Sequence, residues 1–433
     1  MVILRQGEKV LLRSGQDKYE GVFVKEDDLN IFIKLKSGYN LGVSKASISE
    51  VKSVDNSREE KNLEKEKMKP MKQDKSLPTI SLLHTGGTIA SRVDYETGAV
   101  TAKFTPEEIL IIFPELTRIA NIKSRLISNM MSENIRFHHY NVMAQAVEEE
   151  IRNGAQGVII THGTDTLHYT GAALSFALKN VQIPVMIIGS QRSSDRPSTD
   201  SAINLLSAAT FITKTSMAGV FICMHEDIND DKCIVIEGVN ARKMHTSRRD
   251  AFRPINKTPV ARVNYATKKV EVIRPYPAPQ GEFTVKPFDE KVKVGLVKVH
   301  PQMYAEELSP YDSFDGLIIE TTGLGQAQII AFDDKSIENE KIMHALSRIA
   351  KKIPVAASPQ TIYGRVNMNV YSEGRKLMDL GVLGNYCDMT PETAFIKLAW
   401  LISNHSTQEV KEFYDKNLRG EISERSEKET FLI

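Results

Sequence analysis

The sequence is poor in the features that would place it quickly. Its 433 residues include three cysteines (Cys223, Cys233 and Cys387) and one tryptophan. Three scattered cysteines with no C-x-x-C pair exclude a disulfide framework and a zinc cage, and imply free thiols in a reducing compartment. No apolar run approaches the roughly 20 residues of a membrane-spanning helix. Charge of one sign is also lacking: 56 Lys and Arg against 55 Asp and Glu leave a net charge of +1. That balance excludes a strongly basic nucleic-acid coat protein and an acidic tail, while leaving room for a local basic face. MVILRQGEKVLLRSG meets charge within five residues and has no signal-peptide core, so the expected location is the cytoplasm.

What the sequence does contain falls into unequal pieces. Residues 1–54 carry short apolar-polar alternations (GEKVLLRS, YEGVFVKE, LNIFIKLKSG, YNLGVSKA) separated by turn residues, which predicts a small SH3-like or Sm-like β-barrel. Residues 55–76 hold seven basic and six acidic side chains and almost nothing apolar, the composition of a charged linker. From residue 77 short β-branched runs (TISLLHT, QGVIITHG, IPVMIIGS, AGVFICM) alternate with helical stretches at 139–152, 170–179 and 201–211. Such alternation predicts a doubly wound parallel sheet over residues 77–280. A Pro-rich crossing, RPYPAPQGEF, leads to a smaller α/β domain over 290–407, and a charged tail with a possible last helix follows at 408–433.

Ligands of open α/β sheets bind beyond the carboxyl ends of the strands. Three strand ends here are rich in glycine and hydroxyl groups: His84-Thr85-Gly86-Gly87-Thr88, Thr161-His162-Gly163-Thr164-Asp165-Thr166 and Gly189-Ser190-Gln191-Arg192. One such end would be an ordinary cap or turn; three on one sheet point to a site. TGGT is neither a Walker A loop nor a dinucleotide fingerprint, no G-x-S-x-G elbow occurs, and neither His138-His139 nor Asp227–Asp231 has metal-ligand spacing. What remains is nucleophilic threonine chemistry. Thr88 follows two glycines, whose N–H groups can approach a tetrahedral intermediate, but its hydroxyl needs a base.

LLHTGGTIAS and ITHGTDTL resemble the two signature segments of the bacterial-type asparaginase/glutaminase family, and the resemblance runs from about residue 79 to 405. GSQRSSDRPSTDSAINL and the N-terminal YEGVFV…IKLKSGYNLGV module are similar, more narrowly, to the D subunits of archaeal glutamyl-tRNA(Gln) amidotransferases. The resemblance implies that Thr88 is the nucleophile, that Thr164, Asp165 and Lys243 (in GVNARKMHT) form a second catalytic set, and that Gly87, Gly163 and Ser128 (in LISNMMS) belong to the substrate site, with no metal. Lys243 could serve as a base if burial or positive neighbours, with Arg242, Arg248 and Arg249 nearby in sequence, keep its amine partly neutral. One departure concerns the lid tyrosine that follows TGGT in the family: ETGAVTAKF has none, and Tyr95 stands too early.

The function implied is release of ammonia from glutamine or asparagine. A transamidase partner, the E subunit, would use that ammonia with ATP and Mg to convert Glu-tRNA(Gln) to Gln-tRNA(Gln). This chain would bind no cofactor, would form a homodimer core within a heterotetramer, and would meet tRNA mainly through the partner. A free-standing cytoplasmic asparaginase and a non-catalytic scaffold on an amidase fold are the other two readings. The 1–54 module, absent from plain asparaginases, separates the first, and joint retention of the four catalytic candidates separates the second.

Overall fold

The structure, a computed structural model, describes residues 4–5, 7–15, 17–35, 40–53, 74–86, 91–93, 100–102, 113–192 and 199–431. Most of the charged linker lies outside these residues.

Strands β1 (Lys9–Ser14), β2 (Asp17–Glu26), β3 (Asn30–Leu35), β4 (Asn40–Ser44) and β5 (Ile48–Ser53) make an antiparallel sheet in the order β4-β3-β2-β1-β5. Alternation along β1 and β3 turns Val10, Leu12, Ile31 and Ile33 inward, where they meet Phe23 and Val43. A bulge between Phe23 and Lys25 bends β2, so the sheet curls around this small core.

The central domain is built on eight strands. They are β6 (Thr79–Gly86), β9 (Asn121–Met130), β10 (Gly157–Thr161), β12 (Pro184–Ile188), β13 (Gly219–His225), β14 (Lys232–Glu237), β17 (Ala261–Asn264) and β18 (Val270–Val272). Short pairs lie beside them: β7 (Ser91–Val93) with β8 (Val100–Ala102), β11 (Leu178–Lys179) with β19 (Thr284–Val285), and β15 (Ala241–Lys243) with β16 (Phe252–Pro254). The order is β18-β17-β14-β13-β12-β10-β6-β9. Strands β9, β6, β10, β12 and β13 run parallel, as their continuous apolar runs predict. The other three are antiparallel, a departure from the all-parallel expectation. The six residues between His225 and Lys232 are too few for a crossover helix, so the chain returns as a hairpin.

Helices α1 (Phe137–Arg152) and α2 (Leu167–Ala177) cover one face, and α3 (Ser201–Lys214) covers the other. β10 shows the consequence in one strand: Val158 and Ile160 join the first core, Ile159 the second. The smaller domain has three parallel strands, β20 (Val294–Lys298), β21 (Gly316–Thr321) and β22 (Val355–Pro359). Helix α4 (Glu338–Ala350) lies on one side, α5 (Ser372–Asp379) follows β22, and α6 (Pro391–Asn404) lies on the other side. α6 packs on both α2 and β21, so one core is continuous between the two domains.

The segment expected as a charged tail is folded into that core. Helix α7 (Thr407–Phe413) buries Val410, and Tyr414 behind it is fully buried. Lys397 and Glu421 form an ion pair at 2.6 Å with no exposure on either side. Glu421 also accepts N–H bonds from Leu418 and Arg419, and Lys397 donates to the Lys416 carbonyl. A pair satisfied this fully is costly to break from one side: Glu421→Leu leaves a buried ammonium alone and should cost about 3–5 kcal/mol. Urea denaturation of the two proteins measures this; a loss under about 1 kcal/mol would mean that Lys397 finds water on its own.

Candidate functional site

β6 delivers the first strand end. Gly86, its last residue, has φ 103°, and a Cβ there would lie 2.5 Å from the Met130 carbonyl oxygen of β9. Only glycine permits this turn and close approach together. Thr85 is buried and donates to the Thr161 carbonyl at 2.8 Å, tying β6 to β10. Gly87 and Thr88 lie outside the described residues, as does Tyr95; of the stretch expected to carry the lid, residues 96–104, only Val100–Ala102 are described, as β8.

β10 delivers the second end. Gly163 packs against Ser132, where a Cβ would meet Ser132 Oγ at 2.8 Å, and Thr166 Oγ1 donates to the Ser132 carbonyl at 2.7 Å. This fixes the Thr164-Asp165 turn at the start of α2. Lys243 comes from β15, held in register against Phe252 of β16. Its side chain is 9% exposed, and its Nζ stands 2.9 Å from Thr164 Oγ1 and 2.8 Å from Asp165 Oδ1. Residues 79 positions apart thus share a hydrogen bond, as the resemblance implied. In the ammonium state Lys243 donates to both oxygens; a neutral amine could accept the Thr164 proton. Asp165, 66% exposed, fixes the amine from the solvent side.

Ser128 Oγ donates to the Thr85 carbonyl at 3.1 Å. Irregular pairing of β9 with β6 between His84 and Gly86 places Ser128 beside Thr85, at the end of the strand that precedes Gly87 and Thr88 in sequence. The third strand end is turned inward instead of toward a ligand. Ser190 Oγ and the N–H groups of Gln191 and Arg192 all donate to Asp200, a fully buried carboxylate, at 2.8–3.1 Å. This end still bears on the site, because Gly189 packs where a Cβ would lie 2.8 Å from the Thr164 methyl group.

The three arginines expected to charge Lys243 are each neutralised. Arg248 grips Asp250 with two bonds of 2.8 Å, Arg249 pairs with Asp230, and Arg242 meets Glu392 of α6 at 3.1 Å. The arginines near Lys243 and the adjacent Asp250 were legible; Asp230 and Glu392, drawn from other parts of the chain, were not. Glu392 is 150 residues from Arg242 and carried no local signal, whereas His168, four residues after Thr164 in the first turn of α2, could have been flagged by that nearness. Asp165, His168, Lys243 and His245 line one open depression.

Three of the four buried histidines, His84, His162 and His168, are held neutral, while His225 is shifted the other way. His84 bridges Thr161 Oγ1 at 3.0 Å and Ser124 Oγ at 2.8 Å, and His162 lies 2.8 Å from Thr170 Oγ1. Burial pushes both imidazoles down to about 4. Burial, then the charges of Arg242 and Lys243, pushes His168 to about 3. An unfolded chain, with histidine near 6.5, therefore holds more protons than the folded one between pH 6.5 and about 4. The stability these histidines contribute is complete above pH 6.5 and drains as pH falls. Each adds up to about 1.4 kcal/mol per pH unit inside that window. Thermal melts from about pH 7 to about 4.5 should show a steepening loss of Tm; a flat profile would contradict neutral burial. Among the described residues no group of three or more His, Cys, Asp or Glu side chains could hold a metal ion, and no helix is long and apolar enough to cross a membrane.

Sheet, second α/β domain and the Thr164–Asp165–Lys243 cluster together define the asparaginase-like class. Residues 79–277 match the model of the asparaginase N-terminal domain and residues 293–413 that of the glutaminase/asparaginase C-terminal domain. The thermostable L-asparaginase from Thermococcus kodakarensis superposes with a TM-score of 0.69 at 29% identity, covering 80% of this chain and 99% of that one. Residues 4–54 match a further model, the GatD N-terminal domain. The glutamyl-tRNA(Gln) amidotransferase D subunit of Methanococcus maripaludis (strain C7) is 41% identical over 96% of this chain and 98% of its own. Its counterpart from Pyrococcus furiosus, of the same name, is 40% identical over 100% and 96%. The chain belongs to the family of glutamyl-tRNA(Gln) amidotransferase D subunits.

Proposed function

We propose that this chain is the glutaminase subunit of a tRNA-dependent amidotransferase. Thr88 Oγ attacks the side-chain amide carbon, the C–N bond breaks and ammonia leaves; water then hydrolyses the acyl-Thr88 ester to release the acid and restore the hydroxyl. Lys243, oriented by Asp165 and coupled to Thr164, moves the proton that one of these steps requires. Gly87, Gly163 and Ser128 border the substrate. The ammonia passes to a partner subunit that activates the γ-carboxylate of Glu-tRNA(Gln) with ATP and Mg and amidates it. This chain holds no cofactor of its own, forms the homodimer core of a cytoplasmic heterotetramer, and leaves most tRNA contact to the partner.

The observation that carries the reading is the Lys243 amine at 2.9 Å from Thr164 Oγ1 and 2.8 Å from Asp165, at the carboxyl end of the same parallel strands that lead to Thr88. The 4–54 module supports the amidotransferase over a free-standing asparaginase, because the solved L-asparaginase is matched over 99% of its length while leaving a fifth of this chain uncovered. Ammonia release from glutamine and from asparagine, measured with and without the partner subunit and Glu-tRNA(Gln), tests it. Release should rise when both are added. Asparagine hydrolysis that ignores them would favour the free-standing enzyme, since one methylene alone discriminates by only about 1–3 kcal/mol.

A further inference from the structure

At the opposite end of the sheet, where β12 and β13 begin, the structure has a second opening that the amidase chemistry does not use. A cavity of about 430 Å³ lies between the β13–β14 hairpin, the Pro277–Gln280 crossing and residues 417–420. A smaller one of about 210 Å³ adjoins it; Leu418 and Arg419 line both. Together their walls carry five cations, Lys179, Lys257, Arg274, Lys286 and Arg419, against one carboxylate, Glu237. A local charge of about +4 on a chain whose net charge is +1 is a concentrated basic site.

The cations are not equally satisfied. Glu237, almost fully buried, takes Arg274 at 2.9 Å and Lys257 at 3.1 Å. Arg419 has no carboxylate within ion-pair distance among the described residues. Its Nε and Nη1 donate only to the carbonyls of Ser175 at 3.1 Å and Leu418 at 2.8 Å, and its guanidinium lies over Trp400. Burial holds its pKa below the ordinary arginine value, with the charge of Glu421 acting the other way. Tyr276 adds a phenol: a Cβ on Gly219, which also lines the cavity, would lie 2.7 Å from Tyr276 Oη, so the hydroxyl sits at the cavity wall. No hydrogen bond to that hydroxyl is formed among the described residues.

We propose that the larger cavity binds a small phosphorylated molecule, a phosphomonoester dianion whose oxygens meet Arg419 and Tyr276 Oη while Lys179 and Lys286 add charge from the smaller cavity across the shared Arg419 wall. The larger cavity, at about 430 Å³, suits more than a bare ion. A dianion matches the cation excess better than a carboxylate, and arginine's planar fork favours phosphate oxygens. The site stands apart from Thr164 and Lys243 and is independent of the amidase reading.

The test is calorimetric titration of the full chain with glycerol 3-phosphate, with inorganic phosphate, glutamate and a short single-stranded RNA in parallel. Saturable binding of glycerol 3-phosphate is expected, weakened at least about tenfold by Arg419→Gln and also by the Lys179→Gln/Lys286→Gln double substitution. The two lysines are exposed, so the double variant folds even where Arg419→Gln does not. No saturable binding, or binding that the double variant leaves unchanged, overturns the proposal. So does equal binding of glutamate, which would make this a simple carboxylate site, or binding of the RNA alone, which would make it a backbone contact.

Discussion

Thr88→Ala is expected to reduce ammonia release from glutamine by about 10⁴-fold or more while leaving the protein folded. The acyl intermediate needs an oxygen on that residue, and no neighbouring group can replace it at the same place. Thr85, the nearest hydroxyl of the strand end, is committed to the Thr161 carbonyl, and Ser128 to the Thr85 carbonyl. Both are consumed in joining strands. Circular dichroism and thermal melting of the variant should match the parent, since position 88 lies past the end of the buried strand. Near-normal ammonia release from a folded Thr88→Ala protein would remove Thr88 from the nucleophile's role and return the choice to Thr164.

The second large effect concerns Lys243 and Thr164. Alanine at either position should lower kcat by about 10²–10⁴-fold, the usual scale of general acid–base catalysis. The double variant should be little worse than either single one, because a proton carrier without its hydroxyl and a hydroxyl without its carrier are the same defect. Coupling of about 1–3 kcal/mol in the cycle is the quantitative form of that statement. Lys243→Arg separates charge from proton transfer: guanidinium can still donate to Thr164 and Asp165 but does not deprotonate in proteins. Activity should stay near the Lys243→Ala level. Rescue by arginine would mean that Lys243 supplies only positive charge.

Most of the architecture was legible because its signals are local. Continuous apolar strands such as Gly157–Thr161 and Pro184–Ile188, buried on both faces, distinguish a parallel sheet from a hairpin stack. Pro391 at the first turn of α6, after a Thr390 that caps Thr393, marks a helix start within one residue. What escaped was long-range pairing. Nothing near Arg242 announces Glu392, nothing near Ser190 announces Asp200, and the charged residues after 408 read as solvated until Lys397 is seen to take Glu421 into the core. The antiparallel edge escaped for a different reason: β14 has the same apolar character as its parallel neighbours, and only the short His225–Lys232 connection decides its direction, while β17 (ARVN) and β18 (VEV) are short strands that alternate with charge. At the site, the motif residues Thr164, Asp165 and Lys243 were found by resemblance and are brought together by the fold, whereas Ser132 and Glu392 beside them are visible only in three dimensions and His168 offered no more than its nearness to Thr164 in sequence.

As proposed above, this chain supplies ammonia and nothing else to the synthesis of Gln-tRNA(Gln). The most direct measurement is Glu-tRNA(Gln) amidation by the full complex assembled with Thr88→Ala, with glutamine or with a high concentration of ammonium as donor. No product is expected from glutamine and full recovery with ammonium, because only the donor step has been removed. Amidation that persists with glutamine, or that ammonium fails to restore, would contradict that role.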